Sequence, residues 1–184
     1  MTKKVILLVL IALVSVSSLF AMNNVVFVTG SPYAKQYVNS SVNTNYNSKY
    51  GFGFKAGYRH FDSVFLWGAD VAYQNYRYHD KETNTNAYLG NLQFLAKIGG
   101  KVILSEKADL NGDIGCGLEV DFSRVATNCN FVIAGNGSVS YYVTPKVAVV
   151  GGMDLSVTWA KSKDSVYKTT QWNLVPMLGA EIDF

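Results

Sequence analysis

The chain has 184 residues, 49% hydrophobic and 14% aromatic, with 16 Gly, 3 Pro, 2 Cys and 2 His. That length suits one domain, and a charged fraction of 16%, well under the roughly 25% of soluble domains, fits badly with disorder, a coiled coil or a charged helical bundle. A formal charge of +3 carries no nucleic-acid signature.

The first element is a targeting segment. Lys3 and Lys4 form a basic start, residues 5–16 an apolar stretch, and residues 15–21 a run of mostly small side chains, so residues 1–21 read as a signal peptide. Cleavage is expected after Ala21, with Ser18 as the alternative because Leu19 is large for its position; an uncleaved anchor would need a longer apolar run, of about 20 residues. Residues 22–184 then form the mature chain, with 14 basic and 13 acidic side chains.

Alternation begins in earnest at Tyr50. Tyr50, Phe52, Phe54, Ala56 and Tyr58 share one face, and Gly51, Gly53, Lys55, Gly57 and Arg59 the other, which predicts a strand. Phe65, Trp67, Ala69, Val71 and Tyr73 repeat the pattern after Asp62-Ser63, then Leu92 to Ile98, Leu110 to Phe122, Phe131 to Tyr141, Val147 to Trp159 and Leu174 to Phe184. A strand near 24–29 brings the number to eight; its facing is ambiguous because Val25, Val26, Phe27 and Val28 are all apolar. Pro176 lacks a ladder donor and predicts a local irregularity in the last strand.

Three features turn the apolar face outward toward lipid. The patterned stretches run to about 10–13 residues, against about 5–6 for globular strands. From the second strand on, the apolar face carries no Asp, Glu, Lys or Arg, and aromatics gather near strand ends. Connections alternate between long polar segments near 31–49, 75–87, 123–130 and 160–171 and short ones at Asp62-Ser63, Ser105 and Thr144-Pro145-Lys146. The expected fold is an all-β, eight-stranded antiparallel up-and-down transmembrane β-barrel.

With its signal segment, eight alternating strands and closing run Leu178-Gly179-Ala180-Glu181-Ile182-Asp183-Phe184, the chain resembles the small bacterial outer-membrane barrels of the OmpA/OmpX and opacity-protein group. The resemblance implies an outer-membrane location with both termini periplasmic. It also implies an assembly signal at Phe184, Ile182 and Leu178, read by the barrel-assembly machinery. It transfers no activity.

The polar face should line the lumen. An interior charge network is expected from Lys55, Arg59, Asp70, Lys97, Asp113, Glu119, Asp121, Asp154 and Glu181, with a Gly-x-acid-aliphatic element recurring at Gly68, Gly117 and Gly152. If Asp62-Ser63 is a two-residue turn, Lys55 stands opposite Asp70; three-residue turns at Ser105 and Pro145 oppose Lys97 to Asp113 and Asn136 to Asp154. Eight strands leave a lumen that side chains nearly fill, so these groups are expected to pair as a plug; a narrow channel for small solutes or ions is the alternative.

Catalytic chemistry is thin. His60 sits beside a short turn and His79 next to Asp80 in a long segment, without the Ser or Asp arrangement hydrolysis requires. No metal-spaced cluster or phosphate loop occurs, so no enzyme, cofactor or metal is expected. Cys116 and Cys129 read as too far apart to bridge. The long segments hold Lys35, Lys49, Arg77, Lys81, Arg124, Lys161, Lys163 and Lys168 against Asp80, Glu82 and Asp164. That basic surface suggests an anionic glycan or host-surface ligand, or the barrel's own anionic lipid. The functional expectation is a monomeric structural or adhesin-like surface protein.

Overall fold

The computed structural model describes residues 23–40, 46–48, 50–80, 85–122, 127–161 and 168–184. The signal-peptide reading of residues 1–21 lies outside them. The described strands are β1 (Asn24–Ser31), β2 (Lys35–Ser40), β3 (Tyr46–Asn47), β4 (Tyr50–Asp62), β5 (Phe65–Asp80), β6 (Thr85–Ser105), β7 (Ala108–Phe122), β8 (Thr127–Thr144), β9 (Val147–Lys161) and β10 (Lys168–Asp183).

All pairings are antiparallel. From β4 to β10 each strand bonds to its chain neighbour, and β1 bonds to both β4 and β10, closing a ring of eight. β2 continues the line of β1 along β10, from Leu174↔Lys35 to Thr169↔Ser40, and β3 pairs with β2 ahead of β4. The barrel is therefore built from eight staves, two of them interrupted. The β1 end of β10 and the turns after β4, β6 and β8 share one rim, since Val25 pairs with Asp183 and Asn24 with His60.

The strands are longer than the hydrophobic pattern suggested: β6 has 21 residues and β8 has 18. Much of the ranges expected as loops near 75–87 and 123–130 is ladder. Alternation is enforced only where one face meets lipid; beyond that belt the backbone still saves its hydrogen bonds by pairing, while either face can be polar.

Side-chain facing follows parity. Phe54, Trp67, Phe94, Ile114, Leu118, Ile133, Met153, Leu155 and Leu178 are exposed on the outer wall, whereas Lys55, Asp70, Lys97 and Glu119 are buried in the lumen. Toward the short-turn rim the outer wall carries Phe65, Trp67, Tyr141 and Phe184, and toward the other rim Tyr37, Tyr50, Tyr73, Phe122, Phe131, Trp159 and Trp172. Two aromatic belts flanking an aliphatic band are what a barrel needs to sit at two water–lipid boundaries. The ambiguous first strand resolves the same way: Val25, Phe27 and Thr29 point inward and Val28 outward.

Around Pro176 the β10 ladder toward β9 runs without a shift. On its other side β10 pairs with β2 up to Leu174 and with β1 only from Leu178. The residue without an N–H thus sits at the break between β1 and β2, where a ladder donor is dispensable.

Inward glycines set how closely the staves approach. A Cβ on Gly117 would lie 1.8 Å from the Phe94 carbonyl oxygen, and one on Gly179 2.0 Å from that of Val28; the outward Gly137 has open space. Gly117→Ala is therefore expected to reduce the folded barrel yield sharply. Gly137→Ala should stay within about 0.5 kcal/mol of the parent, as for an unconstrained surface site. Urea unfolding followed by heat-modified gel mobility checks both.

Candidate functional site

The lumen is the one place where the described polar groups converge, and glycine makes room for them. Gly57 pairs with Asp70, Gly68 with Arg59, Gly99 with Asp113 and Gly115 with Lys97. A Cβ on Gly57 would lie 2.7 Å from the Asp70 Cβ, and one on Gly115 2.6 Å from the Lys97 Cγ. In so narrow a ring, a long charged side chain needs a bare backbone beside it.

All nine predicted interior residues face the lumen. Lys55, Arg59, Asp70, Lys97, Asp113, Glu119, Asp121 and Glu181 are buried, and the Asp154 side chain is 13% exposed. Seven of them form the middle layer. Lys97 Nζ bridges Asp70 at 2.7 Å and Asp113 at 2.8 Å. Arg59 lies 3.5 Å from Asp113 and 3.6 Å from Glu181, with its guanidinium 4.3 Å from the centre of the Phe27 ring. Lys55 reaches across to Asp154 at 2.6 Å, and Asn136 Nδ2 donates to the same carboxylate at 2.9 Å. Each cation has a carboxylate partner, which offsets the cost of removing it from water.

Two expected pairings need correction. Lys55 is opposite Ala72, not Asp70, because the hairpin turn is Ser63-Val64: Asp62 pairs with Phe65, and Ser63 takes a φ of 59°, the positive region that primed two-residue turns use. Lys97 is opposite Gly115, and Asp113 opposite Gly99, because the β6–β7 turn is Glu106-Lys107 with an irregularity between Ile103 and Ser105. Both offsets are two residues, so every side chain keeps its face. Lys97 still meets Asp113, but diagonally. Asn136 does pair with Asp154.

Toward the long-segment rim the lining changes from ion pairs to amides. Gln93 Nε2 donates to Glu119 at 2.5 Å and to Ser156 Oγ at 3.3 Å, and Asn173 Nδ2 donates to the same Oγ at 3.1 Å. Asn130 Nδ2 donates to Asp121 at 2.7 Å, and Gln36 Nε2 to Gln171 at 3.1 Å. Tyr76, fully buried, donates to Gln74 at 2.5 Å. At the short-turn rim Val25, Phe61 and Leu66 form an apolar stopper, flanked by Lys101 over the Phe61 ring. A cavity of about 10 Å³ beside Lys55 and Asp154, lined also by Thr29, Gln74 and Met177, has room for about one water.

Phe27, Gln93, Tyr76, Asp109 and Lys101 join the interior network beyond the residues predicted from the sequence. Gln93 lay on the correct face but carries no charge, Phe27 sits in the strand of ambiguous facing, Tyr76 falls in a range taken for a loop, and Lys101 and Asp109 flank the β6–β7 turn beyond the clear alternation.

The expected basic loops are placed differently. Lys35 opens β2, its ammonium 5.1 Å from the centre of the Tyr37 ring; Lys161 ends β9 and Lys168 opens β10, and the two are ladder partners. They stand on strands because the ladder continues past the apolar pattern. Lys49 and Lys163 lie outside the described residues. Arg77, on β5, lies over the rings of Tyr50 and Tyr88. Phe184 and Ile182 are exposed on the outer wall with Leu178, and the Phe184 amide donates to the Asn24 carbonyl at 3.0 Å. His60 Nδ1 is 2.9 Å from Asn24 Oδ1, with its ring against Trp67. Cys116 and Cys129 are free and exposed; Cys116 pairs with Ile133 and Val120 with Cys129, four positions apart and so about 13 Å along the strand.

The lysine's true partner is testable. Lys55→Met or Asp154→Leu alone is expected to cost about 3–5 kcal/mol, and the pair together much less. A double-mutant cycle by urea unfolding should give Lys55–Asp154 a coupling well above the roughly 0.5 kcal/mol of independent sites, and larger than that of Lys55–Asp70.

No protein-family profile matches the sequence, and no curated protein matches it as a relative. Solved structures do match. Neisserial surface protein A superposes with a TM-score of 0.60 at 14% identity, over 89% of this chain and 98% of that one. The outer membrane protein AlkL, solved in lipid bilayers, does so with a TM-score of 0.51 at 11% identity, over 90% and 93%. The attachment invasion locus protein Ail of Yersinia pestis is similar at 20% identity and a TM-score of 0.46, over 89% and all of that chain. At such identities the likeness is one of fold, and with the closed ring, the apolar outer belt and the polar lumen it makes this chain an eight-stranded antiparallel transmembrane β-barrel.

Proposed function

We propose that the protein is exported by residues 1–21, assembles as a monomer in a bacterial outer membrane with its short turns and termini on the periplasmic side, and acts through its opposite rim as a structural or surface-interaction protein. The observation that carries this reading is the packed lumen. Lys55–Asp154, Lys97–Asp70–Asp113 and Arg59–Glu181 fill the middle of the barrel, and Val25, Phe61 and Leu66 close its short-turn end. Opening a continuous path would separate buried ion pairs at several kcal/mol each. Chemistry displayed to the outside is therefore left to the far rim, where Lys161 and Lys168 stand at strand ends and the sequence adds Lys49 and Lys163, while Lys35 opens β2 opposite Leu174, on the belt side of Tyr37. A basic rim suits an anionic glycan or host-surface ligand, and no enzymatic step is needed.

Two measurements test the reading. Planar-bilayer recordings of refolded protein should show no steady unitary conductance; reproducible unitary currents would support the narrow-channel alternative. Protease added to intact cells should cut within 41–45 or 162–167 and spare the turns at Ser63-Val64 and Glu106-Lys107, whereas cleavage only at those turns would invert the topology.

Assembly gives a further expectation. Phe184→Asp should lower the yield of heat-modifiable barrel in cells more than Asp183→Asn does, because Phe184 lies on the outer wall and closes the β10 end against Asn24. Equal yields would remove Phe184 from the assembly signal.

A further inference from the structure

Every buried cation of the lumen has an acidic partner, but two buried acids have no cation. Glu119 is 0% exposed and Asp121 nearly so, and among the described residues no Lys, Arg or His nitrogen makes a salt bridge to either. They stand two apart on β7, on the same inward face. The side chains on them are neutral: Gln93 Nε2 donates to Glu119 at 2.5 Å and Asn130 Nδ2 to Asp121 at 2.7 Å, with the Thr158 hydroxyl beside Glu119 and Gln171 beside Asp121. Two neighbouring carboxylates out of water are answered either by a shared proton or by a cation between them.

A second observation names its kind. Asn91, the ladder partner of Asp121 on β6, is 0% exposed, and neither its Oδ1 nor its Nδ2 is hydrogen-bonded. Asn130, the ladder partner of Glu119 on β8, uses Nδ2 on Asp121 and leaves its own Oδ1 without a donor. Glu119 Oε1 and Asp121 Oδ1 are in the same state. A proton shared by the carboxyl groups would answer one acceptor and leave the amide oxygens unanswered. A metal ion with several oxygen ligands answers them together.

We propose that Glu119 and Asp121, with the amide oxygens of Asn91 and Asn130, form a lumenal site for a hard divalent cation of the calcium class. Two carboxylates balance its charge. Carboxylate and amide oxygens are the donors such an ion takes, six to eight at a time, with water completing the shell. Its donors are all oxygens, which selects against softer, nitrogen- or sulfur-seeking metals. Bound there, the ion would cross-link β6, β7 and β8 on the amide side of the barrel, as Lys97 does with its carboxylates deeper in the lumen.

Terbium(III), an oxygen-seeking stand-in for calcium, tests the site on the refolded full-length barrel, with Tyr76 on the adjoining strand as antenna. Tyrosine-sensitised emission should saturate at one ion per barrel and be displaced by calcium. The variant Glu119→Gln with Asp121→Asn should bind at least about tenfold more weakly, as disturbed metal sites do. Glu106→Gln, an acid lost from the short-turn rim, should bind as the parent does. Calcium should also raise the temperature of the heat-modified mobility shift in the parent and in Glu106→Gln, but not in the double variant. Should the double variant fail to fold, Asp121→Asn carries the comparison, since Glu119 keeps its bond from Gln93. Absence of saturable emission, equal binding by the parent and the Asp121 variant, or a carboxyl pair answering to pH and not to calcium would each overturn the proposal.

Discussion

The bore of an eight-stranded ring is the constraint from which the rest of this structure follows. Closing eight strands leaves an interior that side chains fill, so whatever faces inward is packed, desolvated and forced to find partners. That explains why inward glycines recur: Gly57, Gly99 and Gly115 stand beside Asp70, Asp113 and Lys97, where a methyl group would strike a neighbour. The Gly-x-acid elements beginning at Gly68, Gly117 and Gly152 follow the same geometry: glycine and acid share the inward face two residues apart, the small one giving space and the large one using it.

The same bore separates the lumen into layers of different chemistry. The short-turn rim is apolar, the middle is built of ion pairs, and the far half is built of amides around Glu119 and Asp121. Ion pairs are favoured in the middle because lumenal charges there are too tightly packed to keep a full hydration shell. Phe27 contributes to that layer through its ring face beneath Arg59, a role open only to an aromatic among apolar residues. On the outside the demands reverse. The wall must be apolar through the belt and aromatic at both edges, and charged groups such as Arg77 appear only where Tyr50 and Tyr88 mark the boundary.

Much of this was legible from one sequence because the two faces of each strand meet different solvents. Period-two alternation from Tyr50 to Phe184 located seven staves and assigned inward and outward faces correctly, and an error of two residues in a hairpin register leaves that assignment untouched. Nine inward charges were therefore found by parity alone, while Asp109 and its partner Lys101 were not. The pairing of those nine was beyond it. Register depends on which residues occupy a turn, and Ser63-Val64 carries no Gly or Asn to announce itself over Asp62-Ser63. Lys55 consequently meets a carboxylate ninety-nine positions away on β9.

The sequence by itself determined the class of barrel, the strand number, the direction of each side chain within the belt and the closing run at Phe184, since all of these are imposed locally by lipid on one side and a packed lumen on the other. Only the tertiary structure decided where the strands end, which way Phe27 points, which acid each lysine meets and which acids meet none. Those outcomes depend on ring closure, which brings β1 against β10 and sets staves distant in sequence across one narrow lumen. No window of sequence contains that distance, and side-chain reach across it is what selects Asp154 for Lys55 and leaves Glu119 and Asp121 to the amides of Gln93 and Asn130.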